Sequence, residues 1–273
     1  MNEEHGLGPL APVTVIWQHR RLIWRLARRE LEARYRGSLL GVGWAVLTPL
    51  MMLAVYTFVF RAVFKARWDT GSGGNGEFAL LLFAGFIVFN LFAECLTRAP
   101  GLLLENVSYI KKVIFPLEIL PVVCLVSALF TAGIGFVILI VFYAPVFGWP
   151  PFTVLLCPLV LVPLSLITLG VSWFLASVGL FLRDVRQLIG VIVTMLMFLS
   201  PLFYPVSAIP PSFRSFMWLN PMTPILEEWR GLLFWGRLPD WSEWGGLMAG
   251  SLLVAWLGYA WFMKTRRGFA DVV

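Results

Sequence analysis

Cys95, Cys124 and Cys157 stand far apart, each within or beside an apolar stretch, and His5 and His19 both lie near the N-terminus. Without a CxxC or Cys/His spacing these residues offer neither a zinc site nor a disulfide framework, and the thiols read as packing residues. No GxxxxGK(S/T), HExxH or GxSxG occurs, so a phosphate loop, a metalloprotease helix and a nucleophile elbow have no motif here. Glu227, Glu228 and Arg230 form the one compact acid–base group that a membrane enzyme could use. Two further clusters carry charge. Arg28 and Arg29 belong to a basic helical stripe, and a guanidinium suits bidentate phosphate contacts. Asn106 to Lys112 sets Tyr109 and Ile110 beside Lys111 and Lys112, an apolar pair with flanking charge, which is a common design for a protein contact.

The elements that must position these residues are apolar. Hydrophobic residues make up 59% of the 273 positions and charged residues 13%, against about 25% charged in a soluble domain. So much apolar surface needs lipid as its solvent. The net charge of +6 sits in short clusters between apolar runs, which leaves no continuous basic face for a nucleic acid. The expected fold is all-α and membrane-integral: six transmembrane helices, an amphipathic interface helix before them, and two short re-entrant helices between helices five and six.

In chain order, residues 1–14 are expected to be poorly ordered. Their acidic start, with Gly and Pro, is unlike a signal peptide and places the N-terminus in the cytoplasm. Residues 15–36 form the interface helix, with Val13, Trp17, Trp24, Ala27, Leu31 and Tyr35 toward the bilayer and the arginines toward water. Residues 37–273 form the membrane domain. Helix one runs from Ser38 to Phe60 with a kink at Pro49, and helix two from Phe78 to about Leu96. Ile119 to Leu182 has no charge and breaks at Ala144 to Pro151 into a hairpin of helices three and four. Gln187 to Pro205 is helix five, and Trp244 to Met263 is helix six.

Between the last two, Pro210 to Leu219 and a second piece from Thr223-Pro224 to Gly236 are too short to span. Trp218, Trp229, Trp235, Trp241 and Trp244 are expected to anchor this region at headgroup level. With both termini inside, 15 of the 21 basic residues lie on the cytoplasmic side, the bias that sets orientation. The helix centres lack ionisable residues, which argues against an ion-coupled carrier. The remaining role is a conduit driven by another polypeptide.

Arg28 to Trp44 (RRELEARYRGSLLGVGW), Thr48-Pro49-Leu50, Val55 to Phe60, Asn106 to Lys112 with Phe115-Pro116, Arg183-Asp184-Val185, Ser200 to Pro205, Ile209-Pro210 and Leu219-Asn220-Pro221 occur in that order. Together they resemble the permease subunits of ABC type-2 exporters, the group that exports O-antigen, capsular polysaccharide and teichoic acids. The resemblance covers nearly the whole chain after the first dozen residues. It implies a homodimer in the bacterial inner membrane, working with two copies of a cytoplasmic ABC ATPase. ATP and magnesium would belong to that partner, and this chain would hold no cofactor. A lipid-linked glycan would pass between the two permeases. A polyol-phosphate polymer such as teichoic acid is the alternative cargo, and a membrane-embedded enzyme or lipid scaffold the alternative class.

On that resemblance, Asn106, Tyr109, Ile110, Lys111 and Lys112 would couple to the ATPase, against the plainer reading of a solvated positive-inside loop. Arg28 and Arg29 would meet the substrate's pyrophosphate at the cytoplasmic entrance, or else bind anionic lipid. Met52, Tyr56 and Phe60 on helix one, with Met197, Pro201 and Tyr204 on one side of helix five, would line the passage or else simply pack. Aromatic rings suit such a passage because sugars stack their C–H faces on them.

Overall fold

The computed structural model describes residues 8, 11–38, 40–59, 77–110, 115–218 and 220–272, so the expected site residues Phe60, Lys111 and Lys112 fall outside it. Every regular element among the described residues is helical. The chain begins with α1 (Ala11–Gln18) and α2 (Arg20–Tyr35), followed by α3 (Trp44–Tyr56) and α4 (Glu77–Arg98). Two single turns, α5 (Leu102–Glu105) and α6 (Val107–Ile110), lead to the hairpin α7 (Ile119–Phe147) and α8 (Cys157–Phe181). Then come α9 (Val185–Leu199), α10 (Pro211–Met217), α11 (Met222–Phe234), α12 (Trp241–Thr265) and α13 (Phe269–Val272).

Four stretches are long and apolar enough to cross a membrane: Glu77–Glu105, Ile119–Phe147, Phe152–Phe181 and Trp241–Gly268. Two more are apolar but short, Trp44–Val59 and Val185–Leu199. At 1.5 Å per residue these reach about 22–24 Å, less than a hydrocarbon core of roughly 30 Å. Glycine shortens the first. Gly37 and Gly41 take φ of +81° and +51°, a conformation glycine adopts without a Cβ penalty. The regular helix therefore starts at Trp44, not at Ser38. Proline shortens the second. Ser200 leaves the helix in an extended conformation, as residues before proline prefer, so Pro201 and Tyr204 do not continue helix five. The hairpin turn falls where expected, with Gly148 at φ +82°.

The N-terminal helix also differs from expectation. Helix begins at Ala11, inside the segment expected to be poorly ordered, and a turn at His19 divides α1 from α2. Val15, Ile23 and Ala27 are buried, whereas Val13, Trp17 and Trp24 are exposed. The segment thus has two apolar sides. One packs on this chain, chiefly along α7, and the tryptophan side stays outward.

α4 is the centre of the bundle and is buried along most of its apolar length. Polar contacts then sort the helix ends into two groups. At one end Arg34 pairs with Glu94, Arg98 with Glu30, Arg186 with Glu105, and Arg266 with the buried Glu118. At the other, Thr153 donates to the Leu232 carbonyl, the Trp244 indole to the Leu159 carbonyl, and the Asp240 N–H to Glu228. The first end holds the expected cytoplasmic basic clusters, and the second holds the segment between α9 and α12.

Candidate functional site

The basic end is closed by a clasp between α2 and α4. Arg34 donates to Glu94, and Arg98 lies 2.6 Å from Glu30 and 3.4 Å from Glu94. These four side chains are 24–30% exposed, so water screens them only in part, and a shared network holds better than isolated surface pairs. Glu94 lies one turn before the end of α4. Its partner Arg34 comes from an amphipathic helix whose arginines were all expected to face water.

Above the clasp a groove of about 540 Å³ runs between α3, α4 and α7. Arg34, Glu94 and Thr97 line its basic end, Thr48, Met52 and Asn90 its middle, and Tyr56, Phe83 and Phe86 its far end. Tyr56 stacks on Phe86, with centroids 4.7 Å apart and planes 16° from parallel. Phe86 in turn meets Phe203 edge-on at 5.7 Å, and Phe203 stacks on Phe198 at 5.6 Å. Tyr204 donates its hydroxyl to the Phe198 carbonyl at 2.7 Å. Aromatic rings from α3, α4 and the end of α9 thus form one connected row.

The expected passage residues therefore divide. Met52 and Tyr56 line the groove, and Tyr204 is half-buried beside its aromatic end. Met197 packs against the core. Pro201 is buried, and its carbonyl accepts from Arg230.

The two expected headgroup arginines also part company. Arg28 is largely exposed and pairs with Glu32 at 2.8 Å. Arg29 donates to the Tyr109 hydroxyl at 2.6 Å, which joins the interface helix directly to the expected coupling segment. Tyr109 also stacks on Phe115 at 4.2 Å. Ile110 is buried in the core, and Asn106 closes α5 by donating to the Leu102 carbonyl at 2.8 Å. The outward-facing side of this segment is Glu105 and Ser108.

At the opposite end, Arg230 and Glu228, two of the three groups that an enzyme could have used, are committed to structure. Arg230 is fully buried and donates to the carbonyls of Pro201, Leu202 and Leu81. Trp229, expected at headgroup level, is 1% exposed and donates to the Ala84 carbonyl at 3.0 Å. Asn220 donates to the Ser200 hydroxyl at 2.9 Å and accepts from the Met222 N–H. Glu228 braces the Asp240 cap of α12. The Ser200-Pro201, Asn220-Pro221 and Arg230 landmarks, scattered in sequence, are one knot in space.

A membrane-embedded helical chain with an amphipathic lead-in, a basic-end clasp and a polar-to-aromatic groove is the architecture of a permease. Residues 21–234, from the start of α2 to the end of α11, match the ABC-2 type transporter family, and the chain belongs to it. It is similar to the O-antigen export system permease protein RfbA of Myxococcus xanthus, 28% identical over 263 residues that cover 96% of this chain and 98% of that one. A Klebsiella pneumoniae protein of the same name is 25% identical, covering 91% and 93%. The polysialic acid transport protein KpsM of Escherichia coli is 20% identical, covering 87% and 90%.

Proposed function

We propose that this chain is the permease subunit of an ATP-driven exporter that moves a lipid-linked polysaccharide of the O-antigen type across the bacterial cytoplasmic membrane. The groove supports this reading, since it joins an ion-paired end to a row of stacked rings through weakly polar side chains. Sugars need hydroxyl partners and flat carbon faces, and a stripped hydroxyl would cost several kcal/mol in lipid. The names of the relatives favour a glycan over a polyol-phosphate polymer. The structural use of Arg230 and Glu228 favours a conduit over an embedded enzyme.

In this reading α3, α4, α7, α8, α9 and α12 cross the bilayer, while α10 and α11 dip in from the outer side. Both termini are cytoplasmic. The exposed face of α9, with Leu188, Val191, Met195 and Phe198, meets a second copy or lipid. Two copies of a separate ABC ATPase, which bind ATP and magnesium, dock on the α5–α6 segment.

Deleting the chain in its host should leave lipid-linked glycan on the cytoplasmic leaflet and none at the surface. Reconstitution with the partner ATPase should restore ATP-dependent delivery. Surface glycan that persists in the deletion strain would end this reading.

The coupling role sharpens to one bond. Tyr109→Phe keeps the stacking on Phe115 but removes the acceptor for Arg29. A hydrogen bond to a charged group contributes about 1.5–3 kcal/mol, and this one links the ATPase-facing segment to the interface helix. The variant should still recover the ATPase on purification, yet hydrolyse several-fold more ATP per glycan exported. An unchanged ratio would return Tyr109 to a purely local packing role.

A further inference from the structure

Asn90 sits at mid-length of α4, the most buried of the spanning helices, and yet it is exposed. With Arg98, Glu94 and Phe86 it forms one ridge at four-residue steps, because such residues share a helix face. The ridge passes from the ion-paired clasp, through the amide, to the ring that stacks on Tyr56. An amide carries two N–H donors and a carbonyl acceptor. None of the hydrogen bonds within the described residues satisfies the Asn90 side chain. Facing lipid, it would strand all of these groups at membrane depth, where polar residues otherwise line a cavity or find a partner.

The groove supplies the cavity. Asn90 opens into it together with Thr48 and Thr131, one helical turn from Glu94. Thr131 donates only a long 3.3 Å bond to the Ser127 carbonyl. Hydroxyls and an amide on one side, with the Tyr56–Phe86 stack beyond them, match a sugar ring's own alternation of hydroxyl edge and carbon face.

We propose that Asn90 is a substrate contact whose amide, with the Thr48 hydroxyl, hydrogen-bonds the hydroxyls of a glycan segment held between the clasp and the Tyr56–Phe86 pair. The assignment rests on the polysaccharide reading of the chain and adds α4 to the walls of the passage. The contact is polar without charge, so it binds sugar and releases it without the deep trap that an ion pair would set.

The test uses the full transporter with its ATPase, reconstituted in vesicles. Cys95, Cys124 and Cys157 are buried, which makes a thiol introduced by Asn90→Cys readable. It should react with a small cationic methanethiosulfonate, and purified lipid-linked glycan should slow that reaction several-fold. Asn90→Leu, similar in volume, should lower the export rate about fivefold, the equivalent of one lost neutral hydrogen bond. The dimer and the bound ATPase should be retained, and Asn90→Gln should recover most of the rate.

Absence of labelling would show that lipid or protein covers the amide and would overturn the contact. A dimer that falls apart in Asn90→Leu would overturn it in favour of a bond between copies. Normal glycan export by Asn90→Leu would overturn it while leaving the functional reading intact. A wild-type complex that moves no glycan would instead overturn the functional reading itself.

Discussion

Replacing Arg230 with methionine is expected to cost about 3–5 kcal/mol and to leave little folded protein. Methionine fills much of the same space, so the loss would come from polar groups and not from a cavity. The guanidinium is fully buried and ties the Leu81 carbonyl of α4 to the Pro201 and Leu202 carbonyls just beyond α9. Without it the Pro201 and Leu202 carbonyls, which lie outside any helix, are left buried without their donor, each costing about 1–3 kcal/mol. Lysine should fail almost as badly, because a single ammonium cannot reproduce a planar fork that reaches several acceptors. Gly85 offers an independent approach to the same knot. A Cβ there would stand 2.8 Å from the Arg230 Nη2 and 2.9 Å from the Leu202 Cδ2, so Gly85→Ala should destabilise through the same contacts. Recovery of monodisperse protein in detergent, and its thermal midpoint, report the effect. A wild-type midpoint in Arg230→Met would show that the knot carries no stability.

The position of Arg230 also shows what a sequence can and cannot reveal. Apolar runs marked the α7–α8 hairpin and α12 to within a few residues, since lipid leaves helix as the economical backbone solution. The run from Pro210 to Gly236 was legible as two short helices because proline and glycine punctuate it. Position within the bundle was not legible. Arg230 and Trp229 look like outer charge and an aromatic anchor until α4 supplies backbone carbonyls for both.

Glu94 and Arg34 had the same problem, since a clasp needs two elements and periodicity describes one at a time. Asn90 did carry a signal, as a polar residue one helical step from Glu94 within an otherwise apolar run. The groove-lining ridge of α3 was visible at Met52 and Tyr56 because it follows the i, i+4 rule on a single helix. Pro201 was misplaced on helix five because the helix was extended through a proline that ends it.

The last and largest effect is expected where two backbones touch. α8 and α12 form the most extensive helix pair among the described residues, and they cross at Gly170 and Gly258. A Cβ on Gly258 would lie 2.0 Å from the Gly170 carbonyl oxygen, and one on Gly170 would lie 2.3 Å from the Val254 carbonyl oxygen. Backbone cannot rotate aside as a side chain can, so any larger residue must drive the helices apart. In a membrane no hydrophobic force compensates, because lipid is as apolar as the helix surface. Association there depends on close packing of small residues.

Separation at this crossing would also strain Ser177, whose hydroxyl lies 2.7 Å from that of Thr265, and Trp173, which meets the Tyr259 ring and donates to the Glu118 carbonyl. Gly258→Leu is therefore expected to destabilise by more than the roughly 1–3 kcal/mol typical of an overpacked core and to abolish assembly. Leu188→Ala, on the exposed face of α9, should leave the single chain folded. α8 and α12 then form a fixed wall of the bundle. Proteolytic resistance of the detergent-solubilised protein separates the two classes. A Gly258→Leu chain as resistant as wild type would show that the α8–α12 crossing does not hold the bundle together.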